Sequence, residues 1–144
     1  MPLVMAFLAT AAELVGGVLL LLGALTRLVS IPLMVTMIVA MMSVHAKNGW
    51  LAIADASSWL ADGTILLNEN IMAAPEKLAA AKSLLQEHGH YDWLTSSGNF
   101  VVLNNGIEFA ATYFIMLLVL FIYGGGRFFS VDYYVNKAMR SKSN

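Results

Sequence analysis

LVMAFLATAAELVGGVLLLLGAL, residues 3–25, decides the fold. The stretch holds one charged residue, Glu13, and the next charge along the chain is Arg27. At about 1.5 Å per helical residue it reaches the ~30 Å of a bilayer's hydrocarbon core, which makes it too long and too apolar for an ordinary core helix. A carboxylate at that depth is paired, protonated or working. A secretory signal peptide is the competing reading, but no basic segment precedes the apolar run, the run is too long, and Glu13 interrupts it.

Composition agrees with a membrane chain. Of 144 residues, 59% are hydrophobic and 12% charged, with a mean hydropathy of +0.73, and that leaves too little polar surface for a soluble domain of this size. The expected class is all-α, an integral membrane bundle forming a single domain over residues 1–144. The chain has no cysteine, so disulfides and thiol redox chemistry are excluded within it. Any redox role would use a bound cofactor or a partner.

Two further apolar segments bring the expected number of transmembrane helices to three: residues 3–25, Leu28 to about Ala46, and about Ile107 to Tyr123. Pro32 is placed in the first turn of the second, where its missing N–H costs little. The Thr26-Arg27 link is short enough to force an antiparallel hairpin. Lys and Arg favour the cytoplasmic side of short loops. Arg27 at the hairpin, and Arg127, Lys137, Arg140 and Lys142 against Asp132 in the tail over 124–144, therefore predict a cytoplasmic C-terminus in a bacterial inner membrane. The connection over 48–105 carries Asp55, Asp62, Glu69, Glu76, Glu87 and Asp92 against Lys77 and Lys82, which suits an outer cap, although Lys47 dissents. Met1 then lies outside, a position that calls for an earlier helix.

Within the cap, Trp50, Trp59 and Trp93 suit the membrane interface. Pro75 near the start, Leu78, Leu84 and Leu85 on one side and Gly89 at the end predict an amphipathic helix over Ala74–His88. Leu51 to Leu60 is a second expected interfacial helix, broken at Asp62-Gly63, with turns at Ser96–Asn99 and Asn104–Gly106. Gly124-Gly125-Gly126 reads as helix termination rather than a phosphate loop, since no Walker pattern follows it. Phe128, Phe129, Tyr133 and Tyr134 with Lys137 and Arg140 read as an interfacial tail on anionic lipid.

The ionisable residues in or beside the apolar segments are Glu13, His45 and Glu108. Two carboxylates and an imidazole in a low dielectric can handle protons or hold a polar ligand, and they suit a quinone headgroup, whose reduction requires proton delivery to two oxygens. Trp50 and Trp93 are expected near the mouth of such a site. The plain alternative is that the carboxylates hold helices together and His45 caps the second helix. Gly16, Gly17 and Gly23 with Ala9 and Ala12 narrow the faces around Glu13 and permit close helix approach. Met37, Met41 and His45, spaced by four, share a helical face and make a soft set for Cu(I), but methionine is also common filler in apolar helices. His88-Gly89-His90 is a weaker metal hint. No nucleophile motif, zinc-protease motif or nucleic-acid module is present.

The ordered set Glu13-Leu-Val-Gly16-Gly17, Gly23-Ala-Leu-Thr26-Arg27, His45 followed by Gly49, Gly106-Ile-Glu108 and Gly124-Gly-Gly-Arg127-Phe-Phe-Ser130-Val-Asp132 resembles the DoxX family of small bacterial membrane proteins. The resemblance spans about residues 10 to 50 and 104 to 134. It implies a four-helix membrane bundle and a link to quinone-coupled oxidation, first associated with thiosulfate:quinone oxidoreductase, or to complexes with other proteins. Two features depart from the family: its usual first helix is missing and the segment over 51–103 is long. The bundle is then expected to be completed by other oxidoreductase subunits or by another copy of the chain. A quinone-interacting subunit is the expected function, with Glu13, His45 and Glu108 at the headgroup and no covalent cofactor or resident metal. A copper-handling protein and a non-catalytic assembly partner are the alternatives. Without cysteine, flavin or haem motifs, the chain is not expected to transfer electrons unaided.

Overall fold

The computed structural model describes residues 2–61 and 69–141. It is helical: α1 (Pro2–Leu21), α2 (Thr26–Ala40), α3 (Glu69–Met72), α4 (Ala74–His88), α5 (Tyr91–Leu94), α6 (Glu108–Tyr123) and α7 (Val131–Ser141). Among the described residues no strand forms, and Ile53 with Leu103 makes an isolated antiparallel bridge. The chain divides into two compact units, one of Met1–Ala40 with Ala110–Asn144, the other Met41–Phe109.

In the first unit α1 and α2 pack as a hairpin. The turn is Leu22–Leu25, so α1 stops four residues before the expected end at Leu25. Gly23 supplies the stop. With φ +60 it takes the left-handed conformation, while Ala24 N–H donates to Leu19 O at 2.9 Å and Gly23 N–H to Leu20 O at 3.0 Å, the paired bonds that satisfy the last carbonyls of a helix. A Cβ on Gly23 would also lie 2.7 Å from Ser130 Cα. Val29, Leu33 and Leu117 form the core, with Leu19, Leu20, Met34 and Met37 packed against it. Gly16 is buried against Leu33, whose Cδ1 would lie 3.0 Å from an added Cβ, so the expected small-residue packing is found there.

Among the described residues two helical stretches are long and apolar enough to cross a membrane, Leu3–Leu21 and Thr26–Asn48. The second is α2 prolonged by a π-helical turn, Met41–His45, and a 3₁₀ turn, Ala46–Asn48. Because α2 starts at Thr26, Pro32 lies inside it and not in its first turn. The third expected span is a real helix but a short one: α6 has 16 residues, or about 24 Å, below the usual minimum for a bilayer core. The spanning windows of the two long stretches are 6% and 17% buried, so they lack the burial of a core helix, and their exposed apolar faces suit lipid.

The second unit has its own core of Leu51, Ala61 and Ile71, flanked by Trp50, Ala54 and Leu60. The helix Ala74–His88 forms with Pro75 in its first turn and Gly89 after its end, as expected. The helix expected over Leu51 to Leu60 does not form. That segment is bends and turns: the backbone of Leu51, Ala52 and Ala54 is paired with residues 102–108, and Asp55–Leu60 is closed by local bonds such as Ser57 N–H to Asp55 Oδ1. The expected break at Asp62-Gly63 lies outside the described residues. Residues 104–106 are likewise no turn but one edge of that pairing, with Asn105 at φ 59.

Candidate functional site

Residues 49–54 and 102–108 run antiparallel. Ala54 N–H donates to Val102 O, Asn104 and Asn105 N–H to Ala52 O, Gly106 N–H to Leu51 O, Ile107 N–H to Gly49 O and Glu108 N–H to Trp50 O, all at 2.8–3.0 Å. Side chains tighten this knot. Asn104 Nδ2 donates to Asn48 O at 2.7 Å and Leu51 O at 2.6 Å, and Asn48 Nδ2 to Asn105 O at 3.1 Å. Each such bond stabilises by about 1 kcal/mol net, and leaving one of its buried groups unpaired costs more.

His45 and Glu108 both belong to the knot. His45 Nδ1 lies 2.9 Å from Asn105 O. A carbonyl only accepts, so Nδ1 carries the proton, and in the neutral ring Nε2 is an acceptor. Glu108 opens α6, where a carboxylate suits the positive end of the helix dipole, and its Oε2 accepts the Ala52 N–H at 2.9 Å. Both residues are partly buried. In these bonds they pin backbone to backbone, the plain structural role that stands beside proton transfer.

Glu13 does not share that setting. It belongs to the first unit, is exposed on α1 just past its middle, and has no hydrogen-bond or ion-pair partner among the described residues. Glu13 is thus not buried within its own unit. Trp50 is partly buried against the core of the second unit, whereas Trp93 on α5 is 75% exposed.

The soft-metal set fares differently from its spacing. Met37 packs on the core of the first unit, while Met41 and His45 fall in the π-helical turn of the second, so the regular four-residue face is interrupted. His88 ends α4 beside Glu87 at 3.7 Å, both 71% exposed. Among the described residues no three His, Asp or Glu side chains gather closely enough to hold a metal.

Asp132 holds a structural position that local sequence patterns do not expose. Its Oδ1 accepts the Leu25 N–H at 2.7 Å and its Oδ2 the Thr26 N–H at 2.9 Å, capping α2 from 107 and 106 residues away. Ser130 Oγ donates to Gly23 O at 2.9 Å, and Arg27 Nη2 to Ile122 O at 3.0 Å at the end of α6. Partial burial pushes the Asp132 carboxyl up, but the Thr26 and Leu25 N–H groups outweigh it and hold the carboxyl below its ordinary range. In the sequence, only the place of Ser130 and Asp132 in the ordered set points to this contact.

Residues 1–46 match the DoxX family model. Over this segment, about a third of the chain, the sequence is similar to the DoxX family. The match takes in α1, the Gly23 turn, α2 and the π-helical turn, and with them Glu13, Arg27 and His45. Glu108 and the run from Gly124 to Asp132 lie outside it, although Ser130 and Asp132 bond directly to the Gly23–Thr26 turn inside it. No curated protein and no solved structure matches the chain. The DoxX similarity over this segment and the two long apolar helices among the described residues both point toward a membrane.

Proposed function

We propose that this DoxX-like chain is a membrane subunit that works inside an oxidoreductase assembly, docking through α1 and presenting His45 to a quinone. The observation that carries the docking role is the Glu13 carboxyl group, exposed on an apolar helix and without a partner among the described residues. Lipid offers such a group nothing, so a side chain of another subunit or copy is its natural partner. Gly17 lies one turn further on the same face, and a Cβ added there would meet nothing within 4 Å. That face has room for a neighbouring helix to approach closely.

The quinone contact rests on the His45 ring. With Nδ1 committed to Asn105 O, Nε2 accepts a hydroxyl proton when the ring is neutral and donates one when it is charged. A quinone supplies two-electron, two-proton chemistry when bound. His45 is suited to the proton part, and the electrons pass to or from a partner subunit.

Purification in mild detergent tests both parts. The wild-type chain is expected in a complex heavier than one protomer and with extractable quinone. Glu13→Gln is expected to shrink the complex, and His45→Ala to deplete quinone while leaving the complex intact. A wild-type chain that runs as a lone protomer overturns the docking role. A His45→Ala chain that retains its quinone overturns the quinone contact.

A further inference from the structure

The first unit also contains a cationic cleft that neither docking nor quinone chemistry uses. It has a volume of about 780 Å³ and is lined by Arg27 and Leu28 of α2, Gly124 after α6, and Asp132, Lys137 and Arg140 of α7, among others. Three cations face one carboxylate, and that carboxylate is already occupied by the Leu25 and Thr26 N–H groups. Among the described residues none of the three cations forms an ion pair. Arg27 spends an Nη2 donor on Ile122 O, leaving further donors of its five-donor fork available. Lys137 and Arg140 carry no hydrogen bond within the described residues. The cleft therefore holds an uncompensated charge of about +2, suited to a phosphate anion.

The opposite side of α7 indicates where that phosphate comes from. Val131, Tyr134, Val135 and Met139 follow a helical repeat and are 45%, 57%, 49% and 58% exposed. Just before them, Phe128 and Phe129 are 83% and 92% exposed. A helix with a bare apolar stripe and a basic polar face lies in the membrane interface, with its cations at headgroup depth. We propose that the cleft binds the phosphate of an anionic phospholipid headgroup, held by Arg27, Lys137 and Arg140 while α7 lies in the interface.

The test uses the full chain in mild detergent, titrated with phosphatidylglycerol or phosphatidylcholine and read by native mass spectrometry. Phosphatidylglycerol should be retained over phosphatidylcholine by about tenfold or more, as several cations at a lipid surface allow. The preference should fall steeply with salt. K137Q/R140Q removes two cations that make no bond among the described residues and should abolish most of the preference with helical content unchanged. Equal retention of the two lipids, a salt-insensitive preference, or an undiminished preference in K137Q/R140Q overturns the proposal. Displacement of bound phosphatidylglycerol by millimolar inorganic phosphate would overturn the lipid assignment and assign the cleft to free phosphate.

Discussion

Asp132 joins three local facts: it stands one residue after the start of α7, its oxygens cap α2, and the N–H groups it receives hold its carboxyl low. Because the folded value lies below the unfolded value of about 3.9, its stabilisation is complete above that pH and is lost as pH falls through the folded value. Wild-type stability should therefore drop below about pH 4 by a step that Asp132→Asn lacks, as followed by thermal unfolding in detergent. At neutral pH Asp132→Asn has one acceptor oxygen for two N–H donors and should cost about 1–2 kcal/mol. Equal acid sensitivity in wild type and variant would show that other carboxylates dominate. Gly106 makes a second, sharper case. Its backbone lies so close to the Trp50 and Leu51 carbonyl oxygens that an added Cβ would collide with both, and neither atom can swing aside. Gly106→Ala should destabilise the second unit by about 1–3 kcal/mol, as overpacking does, visible as faster amide exchange at Ala52 and Gly106. Unchanged exchange would mean the backbone yields at little cost.

Among the elements, those written in local signals were legible and those made by distant partners were not. α4 could be read to its first and last residue from Pro75, its leucines and Gly89. The end of α1 was hidden because Gly23 stands in a run of leucines, and its stop depends on a left-handed turn backed by Ser130. Leu51 to Leu60 has an apolar pattern a helix could use, yet the backbone bonds of Leu51, Ala52 and Ala54 go to residues some fifty positions away. Glu13, His45 and Glu108 stood out as costly charges, but the sequence could not tell that the latter two are tied into a backbone knot while Glu13 is exposed within its own unit. α1 supplies an element-scale test in its adjacent glycines. Gly16 faces Leu33 and Gly17 faces nothing within 4 Å. Gly16→Leu should lower the stability of the isolated chain by about 1–3 kcal/mol. Gly17→Leu should leave that stability unchanged and reduce only the mass of the complex. If both variants affected only stability, α1 would have no partner helix.

For the molecule as a whole, the open question is which segments share a side of the membrane. The Leu22–Leu25 turn and the start of α7 are tied together by Val131 N–H to Leu22 O at 3.1 Å and Asp132 N–H to Gly23 O at 3.0 Å, so they lie on one side. The stretch Thr26–Asn48 has 23 residues, about 34 Å as a regular helix and enough to carry the chain across. The 16 residues of α6 bring it back only if the bilayer thins locally or if residues beyond the helix join the crossing, at a cost of fractions of a kcal/mol per Å. The chain has no native cysteine, so single substitutions report position without background labelling. Ser83→Cys on α4 and Ser141→Cys at the end of α7 sit at exposed positions. A membrane-impermeant maleimide should label Ser83→Cys in intact cells and Ser141→Cys only in inside-out vesicles, the pattern required by basic residues on the cytoplasmic side. Labelling of both positions from one side would mean that α6 does not cross and, because the Leu22–Leu25 turn is tied to α7, that Thr26–Asn48 does not cross either.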